Sequence, residues 1–297
     1  MRRILSVSIA RKAARGNDSP NLDPRLVKGF GHEWLRFTNE ALSEAELREM
    51  FDRYTEIFPW EDLPADAEGF DAGCGSGRWA RLFAPRVGLL HCVDASEAAL
   101  DVAREALSGH TNVEFRHEDL SSMGLADRTC DFGYCLGVLH HIPDTGHALA
   151  TCVAKLKPGA PFLVYLYYDL QGRGWLQRRM FDVATMVRAV VSRLPLRVRA
   201  VVTDVLAVVV YWPLALVARL VEKIGWDPSL VPLFQYRNRS FYVMRNDALD
   251  RFGTRLEKRY SKEQVRLLLE GAGLENVTFS DGPPWWVAVG WRRSDCK

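Results

Sequence analysis

Residues Phe70–Gly77 read Phe-Asp-Ala-Gly-Cys-Gly-Ser-Gly, and this stretch decides the fold. An acidic residue, Asp71, is followed by three glycines at alternate positions, Gly73, Gly75 and Gly77. Glycine lacks a Cβ, so such a backbone turns sharply at positive φ and lies close against a ligand. The pattern predicts a ligand-binding turn at the end of a β-strand. A glycine-rich turn without a ligand is the alternative that this stretch alone leaves open.

The acid and the glycine spacing favour one nucleotide ligand over another. An acidic residue at a strand end repels a phosphate but holds a positively charged or hydroxyl-bearing group. The dinucleotide fingerprint Gly-x-Gly-x-x-Gly requires its third glycine where Arg78 stands. The stretch fits the amino acid and ribose parts of S-adenosylmethionine better than a pyrophosphate. It resembles motif I of the class I S-adenosylmethionine-dependent methyltransferases.

Strand-like and helix-like segments alternate beyond the glycines. The apolar run Leu89–Asp94 and the alternating run Val113–Leu120 predict a second and a third strand. Asp131–Gly137 and Pro161–Tyr168 predict the fourth and fifth, with helices such as Arg78–Pro85 between the strands. Strands that alternate with helices form a parallel, doubly wound sheet, so the fold class is α/β.

The C-terminal part completes this sheet. A helix over Lys262–Gly271 precedes two predicted strands, Asn276–Ser280 and Trp285–Trp291. The resemblance implies that this pair closes a Rossmann-like sheet of seven strands, of which the last is antiparallel. The first strand is the weakest prediction, because Ala67–Phe70 is less apolar than a buried central strand should be.

Acidic residues end several predicted strands, where ligands of such sheets bind. Asp94 follows the glycines at about 20 residues, the distance typical of a ribose-binding acid; its alternative role is a helix N-cap, for which Ser96 is equally suited. The resemblance implies that Asp119 accepts the adenine amino group and that Leu120 offers a backbone N–H. The predicted cofactor-binding residues are Asp71, Gly73, Cys74, Gly75, Gly77, Asp94, Ala95, Asp119, Leu120 and Leu136.

Two histidines directly follow the fourth strand in the run Leu-His-His-Ile-Pro-Asp. This run resembles small-molecule and sugar O-methyltransferases, in some of which a histidine here acts with an acid after the fifth strand. His141, then His140, is the candidate general base for a hydroxyl acceptor, because histidine titrates near neutrality. Asp169 is the candidate acid. A structural role, such as capping the next helix, is the alternative for both histidines, and no metal-ligand spacing is present.

The chain divides into four predicted parts. A tail and helical cap (1–64) precede the S-adenosylmethionine-binding core (65–169), and a helical insertion (170–245) precedes the C-terminal part of the core sheet (246–297). The cap carries many aromatic residues, of which Trp34 and Tyr54 are candidates to line the site.

The insertion has no counterpart in a minimal methyltransferase core. Its second half, Val201–Val221, carries only Asp204 and Arg219 as charged residues. About 20 apolar residues suffice to cross a bilayer, but Asp204 and Pro213 need partners there. Three interpretations stay open: a lid over an apolar substrate, peripheral membrane contact through 172–221, and a homodimer interface. The first half sets seven arginines against a single acid, Asp182: Arg173, Arg178, Arg179, Arg188, Arg193, Arg197 and Arg199.

Bulk composition is that of an intracellular enzyme. The 297 residues, 48% of them hydrophobic, suffice for one large core with additions. The net charge of +2 and the lack of a basic, aromatic recognition motif argue against a nucleic-acid partner. Six cysteines without a Cys-x-x-Cys pair indicate a reducing compartment. Met1–Arg15 is basic but lacks the apolar core of a signal peptide, so we expect a cytoplasmic location, with the inner membrane face as the alternative.

The predicted function is methyl transfer from S-adenosylmethionine to a small molecule, with a hydroxyl on a sugar, polyketide or lipid-linked intermediate as the acceptor. One alternative is a C-methyltransferase that acts on a quinone or lipid at the membrane. The alternative from another class is a non-catalytic scaffold that keeps the cofactor site, against which the intact glycines and the strand-end acids argue. The acceptor itself stays open, because acceptor pockets of this fold are built from variable caps and insertions.

Overall fold

The computed structural model describes residues 21–169, 175–282, 284 and 286–294. Met1–Arg15 and Arg173, on which parts of the sequence analysis depend, lie outside the described residues, as do Trp285 and the side chain of Arg178.

A mixed seven-stranded sheet forms the centre of the protein, in the order β3-β2-β1-β4-β5-β7-β6. Strands β1 to β5 are parallel, and β7 runs antiparallel to both of its neighbours. The predicted doubly wound sheet with an antiparallel last strand is therefore confirmed. The strands are β1 Glu68–Ala72, β2 Leu89–Asp94, β3 Val113–His117, β4 Phe132–Leu136, β5 Pro161–Tyr165, β6 Leu274–Phe279 and β7 Val287–Arg292.

Strand β1 lies at the centre of the sheet although its sequence is only moderately apolar. The two residues that weaken its pattern have specific neighbours. The Glu68 carboxylate lies 2.7 Å from Nε2 of His91 on β2. Gly69 faces the Phe132 ring so closely that a Cβ there would lie 2.2 Å from it. Glycine at this position lets an aromatic ring pack across the sheet, which periodicity does not reveal.

Several element ends differ from the prediction. Strand β3 ends at His117 because the Asp119 side chain caps a 3₁₀ turn, Leu120–Ser122, and so interrupts the alternating run. Strand β5 likewise ends at Tyr165 and not at Tyr168. The predicted helix over Arg78–Pro85 is a single turn, Ala80–Phe83, followed by a 3₁₀ turn that contains Pro85.

Helices cover both faces of the sheet and form a separate layer above its carboxyl edge. In chain order they are α1 Pro24–Arg36, α2 Glu44–Thr55, α3 Ala80–Phe83, α4 Glu97–Ala106, α5 Thr145–Lys155, α6 Trp175–Val191, α7 Leu196–Leu206, α8 Trp212–Lys223, α9 Phe241–Gly253 and α10 Lys262–Gly271. Helix α10 begins with a capping box between Ser261 and Gln264.

Helices α7 and α8 are joined by a π-helical turn, Ala207–Tyr211, into one helix of 28 residues. This segment, the long helix, is apolar enough to cross a membrane by length and composition alone, as are some core helices of soluble proteins. The Asp204 carboxylate forms ion pairs with Arg36 and Arg245. Pro213 follows the π turn, where the ladder of hydrogen bonds is already interrupted. Both residues that argued against a simple span therefore have a local explanation.

Helix α9 belongs with the insertion and not with the sheet. Its apolar residues, among them Val243, Ala248 and Phe252, form one cluster with residues of α2, α6 and the long helix. The predicted boundary between residues 245 and 246 thus falls inside a helix. The opposite face of α9 carries polar residues to the carboxyl edge of the sheet.

Candidate active site

A cavity of about 200 Å³ lies at the carboxyl ends of the parallel strands, under helices α1 and α9. Ligands of doubly wound sheets bind at this edge. We name it the glycine-loop cavity. The cap residues Trp34 and Tyr54 line it, together with eight residues that the sequence analysis assigned to the site: Gly73, Cys74, Asp94, Ala95, Asp119, Leu120, Leu136 and His141.

The glycine loop, Gly73–Gly77, has the predicted backbone. Its three glycines have φ values of +84°, +54° and +72°. The N–H groups of Gly73 and Cys74 donate to Val93 O at the end of β2. A Cβ on Gly75 would lie 2.8 Å from the Trp34 indole, so helix α1 closes directly over the loop. Gly75 and Gly77 shape the turn, while Gly73 and Cys74 face the cavity.

Asp94 ties the end of β2 to the glycine loop. Its carboxylate accepts hydrogen bonds from Gly75 N at 2.9 Å and from Ser96 N at 2.8 Å. Burial raises the pKa of Asp94, and these two N–H groups oppose the rise. Ser96 is the N-cap of α4. The alternative role that the sequence left for Asp94 is therefore taken by its neighbour, and Asp94 faces the cavity.

Asp71 lies one layer below the cavity. It sits inside β1, in register with Tyr134 of β4, and does not line the cavity. Burial raises the pKa of Asp71 to about 8, so the group is largely uncharged at neutral pH. Its predicted contact with the ligand stays a prediction, to which the cavity lining adds no support.

Asp119 and Leu120 meet the cavity at the end of β3. The Asp119 carboxylate accepts a hydrogen bond from Ser121 N at 3.0 Å, which fixes the turn that carries both residues. Asp94 and Asp119 thus line the same cavity from neighbouring strands. Their oxygens are suited to hydroxyl and amino groups and unsuited to phosphate.

The hydrogen bonds of His141 determine which ring nitrogen is basic. Nδ1 lies 2.7 Å from Leu256 O. A carbonyl oxygen can only accept, so Nδ1 carries a proton and Nε2 carries the lone pair of the neutral ring. Nε2 lies 3.5 Å from Asp250 Oδ1 and has no hydrogen bond among the described residues. His141 therefore offers a basic nitrogen beside an acid in the wall of the cavity.

The acid beside His141 is Asp250 on α9, not Asp169. Asp169 does not line the glycine-loop cavity, and its backbone N–H donates to Tyr260 O. The hydroxyl of Tyr167 donates to the Asp250 carboxylate. Burial favours a raised pKa at Asp250, but the protonated form of His141 and the hydroxyl of Tyr167 outweigh it and lower this pKa. The predicted acid directly after β5 was therefore the wrong residue. The acid beside His141 comes from α9, about 80 residues later in the chain.

His140 points into the protein interior. Its ring stacks on Tyr167 at 3.8 Å, neither ring nitrogen has a hydrogen bond among the described residues, and it does not line the cavity. Burial, with help from His141 and Arg259, lowers the pKa of His140 well below its ordinary value. A neutral ring that is packed away from the cavity does not fit the catalytic role predicted for it.

We expect His140→Phe to make the fold less sensitive to acid. The folded chain keeps His140 neutral, while the unfolded chain binds a proton below about pH 6.5. The folded-state pKa is depressed, so the associated stability is complete above that pH and is lost as the pH falls through it. Melting curves between pH 7.5 and 5 should show a smaller decrease in Tm for the variant than for the wild type. Equal decreases would contradict this assignment.

A buried polar network connects the cap, α9 and the glycine loop. The Arg78 guanidinium donates to Asn39 Oδ1 at 2.8 Å and to Asn246 Oδ1 at 2.6 Å. Asn246 donates to Glu33 Oε1, and Asn39 donates to the hydroxyl of Ser76 in the loop. Glu33 and Asn246 line the cavity although the sequence analysis did not select them. The available signal was the i, i+4 spacing of Asn246 and Asp250, which places both side chains on one face of a helix.

A second and larger cavity, of about 680 Å³, lies between β5, α6 and the long helix. We name it the helical chamber. It shares four wall residues with the glycine-loop cavity: Tyr54, Tyr165, Tyr167 and Asp247. Its apolar walls come mainly from the insertion, including Phe181, Val187, Leu206, Val210 and Leu214. In the part of the chain that the structure describes, no group of three His, Cys, Asp or Glu residues could hold a metal ion.

Comparisons with known proteins show a methyltransferase domain over the parallel strands of the sheet. Residues 70–164 match the family described as "Methyltransferase domain". The ubiquinone biosynthesis O-methyltransferase of Hahella chejuensis is 33% identical over 145 residues, which is 47% of this chain and 60% of the relative. That of Coxiella burnetii is 29% identical over 107 residues, which is 33% of this chain and 46% of the relative. The chain therefore spans about half the length of the curated relatives it matches.

Solved structures agree on the fold. The CurJ carbon methyltransferase superimposes with a TM-score of 0.52 at 13% identity, covering 92% of this chain and 62% of the other. This likeness concerns the fold alone. The strand order and the loop geometry are those of the class I S-adenosylmethionine-dependent methyltransferase fold, and residues 70–164 match the methyltransferase domain.

Proposed function

We propose that the protein transfers the methyl group of S-adenosylmethionine to a hydroxyl oxygen of a largely apolar small molecule. The observation that carries the proposal is the wall shared by the glycine-loop cavity and the helical chamber. Tyr167 is part of this wall and is bonded to Asp250, next to the basic nitrogen of His141. A donor in one cavity and an acceptor in the other would meet beside that pair.

The residues of the glycine-loop cavity suit the proposed cofactor. Carboxylates of Asp94 and Asp119 provide acceptors for ribose hydroxyls and for the adenine amino group. Among the described residues, the wall contains a single arginine, Arg78, and its guanidinium is engaged by Asn39 and Asn246 and so is not directed to a phosphate. S-adenosylmethionine, when bound, supplies an electrophilic methyl group on a sulfonium ion.

The chain contributes positioning and a proton acceptor. Tyr54, Tyr165 and Tyr167 line both cavities and would hold an acceptor in one orientation. Nε2 of His141 takes the proton that the acceptor hydroxyl gives up, while the Nδ1–H bond to Leu256 O keeps the ring in place. The Asp250 carboxylate stabilises the imidazolium that results. General bases of this kind contribute about 10²–10⁴-fold to a rate.

The apolar walls of the helical chamber support a lipid-like or aromatic acceptor over a free sugar. The relatives named as ubiquinone biosynthesis O-methyltransferases support oxygen as the acceptor atom. A quinone or lipid C-methyltransferase is the second candidate, and it is favoured by the same apolar walls. The third candidate is a scaffold that binds the cofactor without transferring its methyl group. A scaffold would not need a basic histidine beside an acid.

The experiment is transfer of labelled methyl groups. Purified protein is incubated with methyl-labelled S-adenosylmethionine and an extract of source cells, followed by solvent extraction and treatment of the product with hydriodic acid. The proposal expects label in the organic phase that is released as methyl iodide, because this acid cleaves methyl ethers. Retained label would indicate a carbon acceptor, and label in the aqueous pool a sugar-like one. Cofactor binding without any transfer would favour the scaffold.

A further inference from the structure

The long helix is apolar on two opposite faces. Its inner face is built of small residues that pack against α9 and the rest of the insertion, such as Ala200, Thr203 and Ala207. Its outer face repeats large apolar side chains every three or four residues, which is the spacing of one helical stripe. These exposed residues are Val198, Val201, Val205, Val208, Trp212, Leu216, Leu220 and Ile224.

The exposed apolar surface extends beyond this helix. Helix α6 adds Met180, Val183, Met186 and Val190 at the same helical spacing, and the segment after the long helix adds Trp226 and Leu230. Soluble monomers rarely expose contiguous apolar patches larger than a few hundred Å². We name the outer stripe of the long helix together with these six residues the apolar face.

We propose that the apolar face docks in the plane of an anionic phospholipid bilayer. Charge complementarity favours a lipid surface: residues 175–230 contain eight basic and four acidic residues. Arg197 and Lys223 are exposed at the two ends of the outer stripe, where they reach headgroups when the stripe lies flat. Trp212 and Trp226 are both exposed, and tryptophan is enriched at the boundary between lipid and water.

The packing of the long helix favours lying on the bilayer over crossing it. Crossing would carry the inner face into lipid, together with Asp204 and its ion pairs to Arg36 and Arg245. Those pairs connect the helix to α1 and α9, which form the roof of the glycine-loop cavity. Of the two faces of the long helix, the outer stripe is the exposed one in the described structure, so that face enters the interface.

The helical chamber opens toward this surface. Met180 and Val183 line the chamber and are also exposed on the apolar face. An acceptor dissolved in lipid would therefore reach Tyr167 without passing through water. This route depends on the proposed function, whereas docking itself does not.

Vesicle binding tests the proposal without any enzymatic assay. The full chain is sedimented with vesicles of phosphatidylglycerol and phosphatidylcholine, and with vesicles of phosphatidylcholine alone. We expect binding to the mixed vesicles and clearly weaker binding to the neutral ones. Leu220→Glu should weaken binding by about tenfold or more, because the interface then loses a leucine and gains a negative charge.

Leu267→Glu on α10 is the matched control. Leu267 is 58% exposed and Leu220 is 61% exposed, but only Leu220 belongs to the apolar face. The control should bind vesicles as the wild type does, and both variants should keep their Tm. Absence of binding by the wild type, equal binding to neutral vesicles, or equal losses in both variants would overturn the proposal. So would a dimer in sedimentation velocity that Leu220→Glu dissociates while no form binds lipid.

Discussion

Replacing His141 with asparagine is expected to lower the rate of methyl transfer by about 10²–10⁴-fold, the contribution of a general base. The asparagine amide can still donate to Leu256 O, which accepts from Nδ1 in the wild type. It cannot replace Nε2, the nitrogen that lies 3.5 Å from Asp250. The variant thus removes the basic atom and preserves the bond that holds the side chain. The initial rate of label transfer into the extracted acceptor pool measures the effect.

Cofactor affinity separates this role from a structural one. We expect His141→Asn to bind S-adenosylhomocysteine nearly as the wild type does, so that the loss appears in turnover. Asp250→Asn should cause a smaller loss, because Asp250 acts on the imidazolium and not on the acceptor. His140→Phe is the control: its ring packs on Tyr167 away from the cavity, so activity should be retained. If His141→Asn transferred methyl groups as fast as the wild type, His141 would not be the general base, and an acceptor that needs no base would be favoured.

Much of the core could be predicted because its elements are local in sequence. The spacing of Gly73, Gly75 and Gly77 indicates their positive φ values before any tertiary contact is considered. Strand β2 was predicted to the residue, since an apolar run ended by an acid has few other interpretations. Gly69 shows where this approach fails. Glycine is needed there because the Phe132 ring packs against it from β4, which is adjacent in the sheet but far away in the sequence. Periodicity carries no information on such a neighbour.

The residues of the site can be separated in the same way, into those that the sequence predicts and those that it does not. Residues at strand ends, such as Asp94 and Asp119, could be assigned because parallel strands bring their carboxyl ends to one edge. Asp250 and Asn246 could not, because they belong to a helix that the insertion delivers to this edge from far along the chain. The sequence favours His141 only slightly over His140. Only the bond from Nδ1 to Leu256 O and the stacking on Tyr167 distinguish the base from its neighbour.

Asp94→Asn is expected to weaken binding of S-adenosylhomocysteine by about tenfold or more, since hydrogen bonds to a charged group are worth about 1.5–3 kcal/mol. The carboxylate accepts from Gly75 N and from Ser96 N through different oxygens. An asparagine has one oxygen, so its amide group must face one of these N–H donors in either orientation. The glycine loop therefore loses an anchor, and the cavity loses a charged acceptor. Isothermal titration calorimetry gives the change in Kd.

Asp94 could act as an anchor of the loop or as the acceptor for the ribose. The two roles predict different coupling energies between the Asp94→Asn change and the loss of a ribose hydroxyl from the ligand. Asp127→Asn is the control, because Asp127 is exposed and pairs with Lys155 away from the cavity, so this variant should leave Kd unchanged. A 2′-deoxy analogue of S-adenosylhomocysteine then completes a cycle of ligand and protein changes. If Asp94 binds the ribose hydroxyl, the analogue loses affinity for the wild type and little further affinity for Asp94→Asn. Additive losses would limit Asp94 to the loop and leave the ribose to another residue of the cavity.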